Sequence, residues 1–125
     1  MTQEEKDLLL KDLSARVPYG VKFTFGNNIY TMKGIDLIVT DEWLWDYAVT
    51  AKAIEPIEIK YIKPYLRPMS SMTEEELKEL NIIFDNCDTE YRVEAQDWLD
   101  AHHFDYRGLI EKGLALKAPE GIYKN

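Results

Sequence analysis

His102 and His103, with Asp105 two residues on and Cys87 upstream, form the densest group of metal-capable side chains in the sequence. Imidazole, carboxylate and thiolate all bind zinc-like ions, but only where several of them converge on one point. Neighbouring positions on a helix diverge by about 100°, so two adjacent histidines do not share an ion as an i, i+4 pair does. No metal site is expected: His102 packs, and His103 helps to end a helix near its negative pole. The run Asp85, Asn86, Cys87, Asp88, Thr89, Glu90 lacks the glycine a calcium loop needs at its sixth position, and Gln96 stands where the twelfth-position glutamate belongs. It reads as a linker between helices. Asp85 and Asp88 also oppose ionisation of the Cys87 thiol, which needs an electropositive setting to act as a nucleophile. With no Gly-rich phosphate loop, no Gly-x-Ser-x-Gly elbow and no zinc-protease helix, the chain is expected to be non-enzymatic, with no catalytic residue, cofactor or metal.

Two other groups of residues are suited to binding. Lys60, Tyr61, Lys63, Tyr65 and Arg67 interleave cations with rings, the combination that tracks phosphates and stacks bases in single-strand binders. Trp43, Trp45 and Tyr47 alternate with smaller or polar residues, and aromatics left on a surface mark protein partner sites. Charge helps to choose between them. The net charge of −8 works against general phosphate binding. That charge is concentrated: residues 71–105 hold eleven acids against Lys78 and Arg92, whereas residues 51–70 hold four cations against Glu55 and Glu58. A protein partner with a basic or proline-rich face is the leading expectation, and an accessory nucleic-acid interface on the Lys60 to Arg67 strip is the alternative. Imitation of nucleic-acid phosphates by the acidic segment is a further reading, though a solvated helix face is the commoner origin of such a run.

The elements that must position these residues can be read from periodicity. Thr2 with Glu5 has capping-box spacing, and Leu9, Leu10, Leu13 and Val17 recur at helical intervals, predicting a helix from Gln3 to Arg16 that Pro18 and Gly20 end. Val21–Phe25 and Ile29–Lys33 flank the turn residues Gly26-Asn27-Asn28 and predict a hairpin. Ile35–Thr40 predicts a third strand, Trp43–Thr50 a fourth and Ile57–Tyr61 a fifth, with Asp41 capping a helix through Ala51 as the alternative for the fourth. Lys63 to Pro68 holds two prolines and is expected to cross extended to the helices. Thr73 with Glu76 again has capping-box spacing and predicts a helix from Thr73 to Phe84, and Val93, Ala95, Trp98, Leu99 and His102 predict another from Glu90 to His103. A turn at Leu109–Lys112 that Gly113 caps precedes an apolar tail. The expected fold is therefore α+β: an N-terminal helix, a five-stranded antiparallel meander approaching a small SH3-like barrel, then two or three helices.

Size fits a single domain over residues 1–125. A chain of this length buries roughly two thirds of its unfolded surface. No uncharged stretch approaches the ~20 apolar residues of a membrane helix, the N-terminus is acidic and polar, and one cysteine allows no internal disulfide. A cytoplasmic protein is expected.

Three stretches are similar to a known family: Leu8–Leu13 with Pro18–Lys22, then Lys63–Glu76, then His103–Leu116. They resemble small uncharacterised proteins encoded by bacteriophages and prophage-like elements of gut anaerobes. The resemblance implies a phage-related setting and no particular activity or site residue.

Overall fold

The computed structural model describes residues 1–85 and 91–123. Helix α1 (Gln3–Arg16) begins with the predicted capping box: Thr2 Oγ1 accepts the Glu5 N–H and Glu5 Oε1 accepts the Thr2 N–H. Pro18 sits in a short 3-10 turn, Val17–Tyr19, and Gly20 leaves it at φ +66°, a left-handed conformation that costs glycine little.

Strands β1 (Lys22–Phe25), β2 (Asn28–Val39), β3 (Trp45–Ala51), β4 (Ile57–Glu58), β5 (Lys63–Leu66) and β6 (Leu116–Lys117) form one sheet in the order β4-β3-β2-β1-β5-β6. All pairings are antiparallel except β5 with β6. The chain is thus α+β, with six strands among the described residues against the five expected, and the differences have local causes. Gly34 does not separate two strands: β2 runs straight through it, with a bulge between Met32 and Gly34 where the register to β3 shifts. A Cβ at Gly34 would lie 3.3 Å from Thr50 Oγ1, so the glycine allows β3 to approach closely. Residues 45–51 are strand, not helix, and Trp43 lies before the strand, in a turn at φ +63°. The predicted Ile57–Tyr61 strand stops after two residues, because Ile59–Tyr61 winds into a 3-10 turn that carries Ile59 into the core. Lys63–Leu66, expected to be irregular, is a strand despite Pro64. The proline removes one ladder donor, and the strand pairs only two residues with β1 and two with β6.

Helix α2 (Glu74–Asp85) starts with the second capping box, Thr73 with Glu76. Helix α3 (Tyr91–Ala101) follows; the predicted linker around Cys87, and the predicted start of the helix at Glu90, lie outside the described residues. The α3 exit is a Schellman turn, with Phe104 N–H donating to Leu99 O and His103 N–H to Asp100 O, and His103 takes the left-handed position at φ +65°. The Leu109–Lys112 turn is capped by Gly113 at φ +74°, and the Asp105 carboxylate accepts the Leu109 and Ile110 N–H groups that open it.

The larger core joins α1, the sheet and the tail through Leu9, Leu13, Phe23, Met32, Val49 and Ile59, among others. A smaller one joins α2 and α3 through Leu80, Ala95, Leu99 and Phe104. Polar links tie the two together. Arg67 forks onto both oxygens of Glu76 at 2.7 Å, linking the end of β5 to α2, while its guanidinium lies 4.2 Å over Phe104. Fully buried Arg16 donates to Asp12 and to Phe104 O, and Arg107 reaches the same Asp12 at 2.9 Å. Among the described residues no helix is long and apolar enough to cross a membrane.

Candidate functional site

Side chains alternate across a strand, so register decides which face each aromatic takes. Ile35 pairs with Val49, Leu37 with Tyr47 and Val39 with Trp45, which places all six on one face of the β2–β3 hairpin. Val49 is buried in the larger core and Ile35 packs against it. Two steps further out the same face has left the core: Leu37, Val39, Tyr47 and Trp45 are exposed, Trp45 by 69%. Trp43, in the turn between the strands, is exposed by 86%. The hairpin therefore carries the core-facing side of the sheet out into solvent as a strip of two cross-strand pairs topped by an indole. Large contiguous apolar surface of this kind marks interaction sites, and Trp and Tyr dominate binding energy where they are buried by a partner.

The turn that presents Trp43 is well ordered by bonds. Trp43 N–H donates to Thr40 O, Thr40 N–H to Leu44 O, and Thr40 Oγ1 accepts from Glu42 and Leu44. Behind it, the Asp46 carboxylate accepts the Tyr47 N–H and pairs with the Lys6 ammonium of α1, which ties the turn end of the hairpin to the helix. Beside the strip lies a cavity of about 620 Å³ between the hairpin, the β3–β4 connection and the 3-10 turn, lined by Phe25, Val39, Ile54, Ile57 and Tyr61 with three carboxylates, Asp41, Glu55 and Glu58.

Of the aromatics chosen from the sequence, Trp45 and Tyr47 share this face and Trp43 lies in the turn next to it. The Lys60 to Arg67 residues are not presented as one cationic strip. Lys60 Nζ lies 3.3 Å from Glu58 Oε2, in ion-pair contact without hydrogen-bond alignment, and 5.1 Å from the centre of the Tyr61 ring. Arg67 is engaged by Glu76, and that pairing holds the Glu76 carboxyl down at about 2. Tyr65 is half-buried and its carbonyl accepts from the Tyr123 hydroxyl, while Lys63 is exposed. The charge this strip offers to solvent is thus smaller than its composition suggests.

His102 and His103 diverge as adjacent residues must. His102 stacks on Trp98 at 4.0 Å, with Nδ1 2.8 Å from Trp98 O; His103 stacks on Tyr123 at 3.7 Å. Burial, and next the Arg16 charge, hold His103 down at about 4. Among the described residues no group of three or more His, Cys, Asp and Glu side chains is placed to hold a metal; Cys87 lies outside them. Sequence reasoning missed Leu37 and Val39, which read as ordinary strand residues, and the cluster of buried Asp12, Arg16 and Asp100 with half-buried Arg107. Asp12 and Arg16 have i, i+4 spacing, a signal present in the sequence, but only the packing shows that the pair is internal.

Compared with protein families, curated proteins and solved structures, the chain matches none of them.

Proposed function

We propose that this protein is a non-enzymatic protein-interaction or regulatory module that docks through the aromatic face of the β2–β3 hairpin. The observation that carries the reading is the register of that hairpin. Val39/Trp45 and Leu37/Tyr47 extend the core-facing side of the sheet past the core, where the described residues leave them open to solvent. A solitary exposed apolar residue needs no explanation, but two adjacent aromatic-aliphatic pairs with a third aromatic at the tip form one surface. Engagement of Lys60 by Glu58 and of Arg67 by Glu76 favours this surface over the nucleic-acid alternative. The return of β5 to the side of β1 supports an SH3-like reading of the sheet, and the resemblance to phage-encoded proteins supports a role for the module in a phage-related element in a bacterial cytoplasm.

The test is capture from bacterial lysate by the immobilised chain, compared with a Trp45→Ser/Tyr47→Ser variant and with Ile29→Ser, an exposed control outside the strip. A saturable partner retained by the wild type and the control but lost by the double variant is expected. Equal retention by all three, or no saturable partner at all, would sink the proposal.

A further inference from the structure

The cavity beside the hairpin has a composition of its own. Its lining is apolar and aromatic at Phe25, Ile57 and Tyr61 and acidic at Asp41, Glu55 and Glu58. No Lys, Arg or His is among the described residues that line it. At about 620 Å³ it falls within the roughly 300–1,000 Å³ of ligand-binding clefts, room enough for a side chain. Rings beside carboxylates form a receptor for an organic cation, since the ring face and the carboxylate attract the same charge.

The molecule already shows this chemistry once, at the edge of the same site. The Lys60 ammonium sits between Glu58 Oε2, at 3.3 Å, and the Tyr61 ring, at 5.1 Å. Glu58 is thereby matched by an internal cation. Asp41 and Glu55, both exposed, have no ion-pair partner among the described residues. Val39 belongs both to the cavity and to the exposed hairpin strip, so the two are continuous.

We propose that the cavity takes a lysine or arginine side chain, presented within an otherwise apolar segment of the partner protein that lies on the hairpin strip. This rests on the interaction reading above and supplies the chemistry of the partner. Charge separates this occupant from the others. A second copy of the chain, with its own net charge of −8, would bring more acid toward Asp41 and Glu55. A nucleic-acid or anionic lipid surface would set its phosphates against the same carboxylates. A cationic, apolar protein segment complements both parts of the site.

Amide NMR of the full chain tests this with four probes: a synthetic peptide alternating Leu and Arg, the same peptide with citrulline for Arg, the same with Glu, and spermine alone. The Leu-Arg peptide is expected to shift the Phe25, Val39 and Tyr61 amides saturably, and the citrulline and Glu peptides are expected to leave them in place. Asp41→Asn/Glu55→Gln, whose two sites are exposed and whose fold is checked by the rest of its spectrum, should weaken the Leu-Arg peptide by about tenfold or more, equivalent to roughly 1.4 kcal/mol. The proposal falls if the citrulline peptide binds as well, if the double variant binds unchanged, or if spermine reproduces the shifts with equal affinity. If the Leu-Arg peptide leaves the cavity untouched while lysate capture still depends on Trp45 and Tyr47, the cation site is wrong and the hairpin reading stands. If capture is independent of those residues while the cavity still binds the peptide through Asp41 and Glu55, the hairpin reading is the one that fails.

Discussion

Replacing Arg16 by Met would leave the Asp12 and Asp100 carboxylates inside the protein with Arg107 as their one cation among the described residues and the Tyr106 hydroxyl on Asp100. Burial, more than any other influence, already raises the Asp100 carboxyl above its ordinary range, and Arg16 is among the charges that hold it down. Removing one member of a buried ionic group costs about 3–5 kcal/mol, because the remaining charge is uncompensated. A fall of that size in urea-unfolding free energy is therefore expected for Arg16→Met, with a smaller loss for Asp12→Asn, which keeps the shape. His103 supplies a pH signature. Its folded value of about 4 lies below the ordinary 6.5, so over that interval the unfolded chain binds the extra proton. Stability is full above pH 6.5 and declines as pH falls through about 4. His103→Phe preserves a ring against Tyr123 and should flatten that part of the pH profile of the melting temperature; an unchanged slope would show that His103 is not its source.

At the level of elements, the joint between β5 and α2 depends on a charge placed by local sequence. Thr73 and Glu76 are capping-box partners, and the Glu76 carboxylate that accepts the Thr73 N–H also takes the Arg67 guanidinium. Its depressed value of about 2, against an ordinary 4.5, makes this a stabilising contribution present above pH 4.5 and lost as pH falls toward 2. Glu76→Gln should therefore melt below the wild type at pH 6 and converge with it near pH 2. Convergence at neutral pH instead would mean that the joint carries no weight. The capping boxes, the α1 boundaries and the Gly113 turn were all legible in the sequence, because each depends on residues within five positions of one another. The strand boundaries were not. A glycine within an apolar run signals a turn locally, and only the approach of Thr50 from β3 shows Gly34 as a place of close packing. Likewise Pro64 argues against a strand until β1 and β6 are seen each to pair only two residues of β5.

For the whole molecule, one face of one hairpin separates folding from binding. Met32 and Val49 lie on the same side of the sheet as Trp45 and Tyr47 but within the core. Met32→Ala should cost about 2–5 kcal/mol through lost burial and the cavity left behind. Trp45→Ser and Tyr47→Ser should each cost no more than about 1 kcal/mol, the scale of a cross-strand pair. Chemical denaturation of the three variants checks the contrast, and comparable losses at all three positions would mean that the strip serves the fold and not a partner.

By itself the sequence determined the class of the fold, the two capped helices, the acidity of residues 71–105 and the aromatic character of residues 43–47. These follow from composition and from interactions over a few residues. Only the tertiary structure decided which aromatics remain outside, that Lys60 and Arg67 are engaged by acids, and that a carboxylate-lined cavity adjoins the hairpin. The physical reason is the same in each case. Exposure and pairing depend on where the sheet outruns its core and on which distant side chain arrives opposite, and neither is encoded in any short window of residues.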